Sequence, residues 1–182
     1  MLLSFAQWVQ ATSLFTAVRM SWYAYPIVLT LHLVGISLLG GMILMTNLRL
    51  LGIALRNWPI SDLIGRLRTP KRLGFLLAAA CGILLAGSKA EEYYYNYFFW
   101  TKMSLLAAIA VHGMIFRAGV YNKAADLDRG TAMPGRAKLA AALSLLLWAG
   151  VACAGRGIGY LDPPLEKLHA RLHPEVGGIL ER

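Results

Sequence analysis

The chain has 182 residues, of which 58% are hydrophobic and 15% charged, and its mean hydropathy is +0.56. That balance excludes an ordinary soluble domain and a disordered chain, because most of the length is driven out of water. The net charge of +9 flanks hydrophobic runs at regular intervals, which reads as a membrane topology signal and not as a nucleic-acid footprint.

The opening "MLLSFAQWVQATSLFTAVRMSW" has no basic leader and no convincing cleavage site, so it is not read as a removable signal peptide. It fits an interfacial amphipathic helix over about 3–20, with Phe5, Trp8, Leu14 and Phe15 in the headgroup region. Four apolar spans follow, at about 25–48, 73–89, 98–118 and 138–158. At about 1.5 Å per residue, each crosses a hydrocarbon core of about 30 Å with some help from flanking residues. The expected fold is all-α: one polytopic four-helix membrane bundle with amphipathic segments at both ends and no soluble module.

Orientation follows from the basic residues. The first connection carries Arg49, Arg56, Arg66, Arg68, Lys71 and Arg72 against Asp62; the third carries Arg117, Lys123, Arg129, Arg136 and Lys138 against Asp126 and Asp128. Both are expected on the cytoplasmic side of a bacterial inner membrane. The tyrosine-rich turn "SKAEEYYYNYFFW" and both termini then face the periplasm.

Packing signals lie on the spans. Gly74, Ala78, Gly82 and Ala86 recur every four residues, and Gly35, Gly40 and Gly41 lie on span one, so close helix approach is expected there. Ser104, Ala108 and His112 share a face of span three that is expected to meet them inside the bundle. Cys81 and Cys153 have no metal-binding spacing and read as small buried apolar residues.

Two histidines, His32 in "LTLHLVGISLLGG" and His112 in "LAAIAVHGMIFRAG", lie within spans, where an imidazole needs partners. Two such rings from facing helices are chemically suited to hold a haem b iron. By rise alone His32 lies about 10 Å below Tyr25 and His112 about 15 Å below Lys102, so one iron takes both only if helix tilt closes the offset. Arg156, expected near the level of His32, suits the haem propionates, with Tyr95 or Trp100 covering the porphyrin edge. Packing across helices, proton carriage for the histidines and snorkelling for Arg156 are the plainer roles.

The closing segment, 161–182, reads as peripheral. His169 and His173 are four apart, with Glu166 nearby, and make a weak alternative metal site. No signature of a phosphate-binding loop, dinucleotide fold, zinc protease or serine hydrolase is present.

The stretches "LLSFAQWVQATSLFTAVR", "YAYPIVLTLHLVGISLLGGMILMTNLRLLGIAL", "KMSLLAAIAVHGMIFRAGVY" and "LSLLLWAGVACAGRGIGY" resemble a family of uncharacterised bacterial four-helix inner-membrane proteins. His32, Gly155 and Arg156 are its most specific points. Relatives often have asparagine at position 112 and histidine at position 117, where this chain has His112 and Arg117. Membrane b-type cytochromes and copper-resistance membrane proteins are similar by architecture only.

Three functions are therefore expected to compete. The first is a membrane electron-transfer subunit with haem b, serving a membrane or periplasmic redox partner. The second is a cofactor-free scaffold or accessory subunit of a redox or transport complex, and the third a small-solute or metal transporter. All fit a subunit, which forms oligomers or complexes within the lipid bilayer, better than a stand-alone enzyme.

Overall fold

The computed structural model describes residues 1–116, 124–129 and 133–160. Among these, eight helices follow one another: α1 (Leu2–Ala11), α2 (Ser13–Met20), α3 (Ala24–Leu51), α4 (Ile60–Ser88), α5 (Ala90–Tyr95), α6 (Tyr97–Phe116), α7 (Ala124–Arg129) and α8 (Gly135–Ile158). Helices α3, α4, α6 and α8 are long and apolar enough to cross a membrane. The chain is an all-α polytopic membrane protein, and large apolar side chains such as Leu33, Val34, Leu76, Ile83, Leu139 and Leu146 point outward, where lipid covers them. Segment 161–182, with His169 and His173, lies outside the described residues.

Helix α3 ends where Gly52 adopts φ +73° and its N–H bonds back to the last turn. A left-handed residue there closes the helix at no Cβ cost. The next helix departs from expectation. The basic connection to span two is largely helical, because α4 begins at Ile60, directly after Pro59. Its two leading N–H groups, of Ile60 and Ser61, donate to the Asp128 carboxylate at 2.6 and 3.0 Å. An anion at a helix N-terminus satisfies orphan donors and complements the dipole, but this one comes from α7. Arg66, Arg68, Lys71 and Arg72 therefore ride on a helix.

The N-terminal segment is two helices instead of one, because Thr12 is extended between them. Its polar residues are used against α5: the Gln7 side-chain amide donates to Glu91 Oε1 (3.0 Å), and the Glu91 N–H donates to Gln10 Oε1 (2.9 Å). Phe15 of α2 fills the notch left by Gly87 on α4.

The spans pack in the order α4, α3, α8, α6, with no comparable packing between α4 and α6. The tightest approach is between α3 and α4. A Cβ added at Gly35 would lie 2.7 Å from the Ala78 backbone nitrogen, and one added at Gly74 would lie 2.8 Å from that of Leu39. Backbone thus touches backbone, as small residues permit in membranes. Between α3 and α8 there is a polar link as well: buried Asn47 donates to the Ser144 hydroxyl at 3.0 Å. The best-buried apolar cluster lies at the basic end, where Leu50, Ile60, Ile64, Ala124, Ala137 and Ala141 meet.

Two packing expectations are corrected. Ser104 and Ala108 are exposed, and α6 reaches α8 through Phe98, Lys102 and Leu105 instead. Cys81 is buried but Cys153 is exposed.

Gly35→Ala and Gly74→Ala force α3 and α4 apart and are expected to destabilise by about 1–3 kcal/mol each, as overpacking does. Gly41→Ala, where a Cβ meets nothing within 4 Å, serves as the neutral control; unfolding in mixed micelles reads all three. A second expectation concerns Asp128. Its slight burial opposes ionisation, but hydrogen bonds from Ser61 and Ile60 and the charge of Arg49 outweigh it and hold the carboxyl below the usual carboxylate range. A depressed folded value makes the cap's contribution complete above about pH 3.9 and lost as pH falls further. The stability gap between wild type and Asp128→Ala should therefore be full near neutrality and close on acidification; a gap independent of pH refutes the charged cap.

Candidate functional site at the tyrosine-rich end

His32 lies eight residues into α3, about 12 Å along the helix. Its ring is half-buried, and Nδ1 is 2.8 Å from the Ala78 carbonyl oxygen of α4. A carbonyl only accepts, so Nδ1 carries the proton and Nε2 keeps its lone pair. No hydrogen bond from the described residues engages Nε2. The ring has room because Gly82 stands opposite; a Cβ there would lie 3.0 Å from His32 Cε1. One turn of α4 thus supplies both the acceptor and the space.

The ring's electrostatic neighbour is Lys102 of α6. Lys102 lies five residues into its helix, about 7.5 Å along it. Its stem lies over Gly155 of α8, where an added Cβ would be 3.7 Å from Nζ and 3.8 Å from Cε. No Asp or Glu occurs in α3, α6 or α8, and the only one in α4 is Asp62, in its first turn at the other end of the molecule. The intramembrane ammonium therefore has no carboxylate from the span helices.

The end of the bundle above these residues is firmly tied. Asn96 caps α6, its Oδ1 accepting from the N–H groups of Phe98 (2.9 Å) and Phe99 (3.3 Å), and its amide donates to the Ile158 carbonyl of α8 (3.3 Å). Trp100 Nε1 donates to the Tyr94 carbonyl at 2.9 Å, pinning α5 to α6, and Tyr93 stacks on Phe99 with centroids 5.1 Å apart.

The other residues singled out in the sequence are dispersed. His112 lies ten residues beyond Lys102 on α6, about 15 Å toward the basic end. Its ring rests on Phe116 with centroids 4.4 Å apart, and its buried Nε2 has no partner. His32 and His112 are thus at different levels and are not brought together. Arg156 is exposed, donating to the Tyr160 hydroxyl (3.1 Å) and lying over that ring. Tyr95 meets Tyr94 edge to face, and Trp100 is exposed; neither contacts Arg156.

For a haem, the residues present offer one imidazole nitrogen, His32 Nε2, held from behind by the kind of carbonyl bond that orients metal-ligating histidines. Two-histidine ligation does not fit this placement. Among the described residues no group of three His, Cys, Asp or Glu side chains converges to hold a metal ion.

Lys102 was not legible as a site residue, since by sequence it marks the edge of span three. The available signal was its position after Tyr97, Phe98, Phe99 and Trp100, aromatic residues that belong at the membrane interface and place the lysine inside it.

Residues 5–161 match a family of unknown function, DUF6644. No curated protein and no solved structure matches the chain. The architectural likeness to b-type cytochromes and copper-resistance proteins gains no support from these comparisons.

Proposed function

Since the chain belongs to the DUF6644 family, whose function is unknown, we propose from its geometry that it is an accessory membrane subunit that holds a partner's helix against α6. The observation that carries this reading is that no residue of α6 is buried by the chain itself. Its exposed residues include Ser104, Ala107, Ala108, Val111, Met114 and Ile115, which recur at helical spacing on one face. The upper part of that face is small, the type of surface that lets a second helix approach closely in lipid. The complex proposed is a redox or transport assembly of the inner membrane, and the basic connections support a periplasmic side for the tyrosine-rich end.

A photoreactive residue at Ala108 or Met114 is expected to yield a discrete protein adduct in native membranes, whereas one at Leu105, which packs on Gly150, yields only internal adducts. Lipid adducts alone at Ala108 and Met114 would sink the reading.

The tautomer of His32 favours a second reading, an electron-transfer subunit with haem b. There a haem would supply one-electron chemistry, His32 Nε2 would hold its iron, and Lys102 would supply a cation for the propionates. Purified from haem-replete cells, the protein is then expected to show Soret and α bands that shift on dithionite reduction and vanish in His32→Ala. A folded, colourless wild type that stays colourless after haem addition excludes it.

A further inference from the structure

We propose that Arg49 and Arg66, brought together on Trp58, form a binding site for the phosphate of an anionic phospholipid in the leaflet at the basic end. The inference uses neither the partner-facing side of α6 nor a haem.

The connection between α3 and α4 builds the site. Arg49, in the last turn of α3, donates from Nε to the Trp58 carbonyl at 2.7 Å. Arg66, nearly two turns into α4, lies over the Trp58 ring with its Cζ 5.6 Å from the centroid. One residue of the connection thus holds a guanidinium from each of the two helices. The connection is itself fixed: the Trp58 N–H donates to the Leu55 carbonyl at 3.1 Å, Arg56 Nε donates to the Gly52 carbonyl, and Gly52 and Leu55 hold left-handed backbone angles, φ +73° and +56°.

These contacts leave most of the donors unused. A guanidinium carries five N–H groups; Arg49 commits one to Trp58, and Arg66 commits only its face. Among the described residues neither arginine forms an ion pair. Asp62 stands four residues before Arg66, a spacing that permits pairing, yet Arg66 turns to the indole instead. Asp128 feels the charge of Arg49, but its two oxygens are taken by the N–H groups of Ile60 and Ser61. Two like charges held at one residue repel each other, and a shared anion relieves the repulsion. Phosphate oxygens suit the planar forks of both side chains.

Depth selects the source of the phosphate. Arg49 stands twenty-four residues beyond Tyr25 on α3, about 36 Å along the helix. Arg66 stands twenty-two residues before Ser88 on α4, about 33 Å along it. Both distances exceed a hydrocarbon core of about 30 Å and end within the headgroup layer. Tryptophan belongs at that level. Trp58 is 45% and Ile53 66% exposed, so apolar surface for acyl chains lies in the same connection as the two cations. A soluble phosphate ester gains nothing from that surface, whereas a phospholipid uses both.

Native mass spectrometry of the full chain tests the site, after equilibration in neutral maltoside micelles with equal amounts of phosphatidylglycerol and phosphatidylcholine bearing the same tails. The wild type is expected to retain one phosphatidylglycerol in preference to phosphatidylcholine. Arg66→Gln and Arg49→Gln should each weaken that retention about tenfold, the loss of a charge-assisted hydrogen bond to phosphate. Arg68→Gln makes the same change of charge at an exposed position on the opposite side of α4 and should keep the wild-type preference. Equal retention of the two lipids by the wild type, or full retention in Arg66→Gln, overturns the site. Equal losses in Arg66→Gln and Arg68→Gln overturn it too, since the effect is then the diffuse field of the basic end. Glycerol phosphate, a head without tails, should displace nothing at the lipid's own concentration; displacement there overturns the assignment to a lipid. Thermal unfolding in the same micelles establishes that each variant folds. Should Arg49→Gln unfold because the connection loses its tie, exposed Arg66 decides against Arg68 by the same comparison.

Discussion

The contact of α3 with α4 at Gly35 and Gly74 sets the rest of the molecule. With a Cβ on either residue the two backbones separate, and the His32 ring no longer reaches Ala78. At the observed distance the Ala78 carbonyl, which already stands opposite the Gly82 N–H in the α-helical ladder, has a second lone pair available for the imidazole. The ring's orientation, its tautomer and the freedom of Nε2 all follow from a separation that two missing methyl groups permit. In a bilayer, where apolar surface gains little by leaving lipid for protein, such close packing is the main source of helix association.

Much of the fold was legible because its cause is local. Four runs of apolar residues, basic connections and a four-residue stripe of small side chains are properties of adjacent sequence, and they gave the spans and the α3–α4 approach. The start of α4 ahead of its span has the opposite character: Asp128 is remote in sequence from Ile60, so no local pattern announces the cap. The division of the N-terminal segment at Thr12 turns on one backbone conformation, below what periodicity resolves.

At the site the limit was depth and direction. Sequence singled out His32 as an intramembrane imidazole in need of a partner, but a backbone carbonyl leaves no mark in a list of side chains. Ser104 and Ala108 suit a buried face and an outward face equally well, and only the placement of α6 on α8 decides between them. Lys102 was concealed by convention, since a lysine near the end of an apolar run is ordinarily taken as its boundary. Arg156, by contrast, is occupied by Tyr160 at the end of its own helix, a pairing that the i, i+4 spacing already permits.

The succession of contacts also bears on how the protein is made. The chain's two strongest span pairings join consecutive spans, α3 with α4 and α6 with α8. Synthesis delivers the first pair to the membrane ahead of α6, so the residues of the glycine contact and of the His32–Ala78 bond emerge first. The later pair then has a preformed surface to meet, and the Asn47–Ser144 hydrogen bond fixes how the two halves align. The order of synthesis thus matches the division of the contacts into two hairpins, the first of which holds both the imidazole and the carbonyl that orients it.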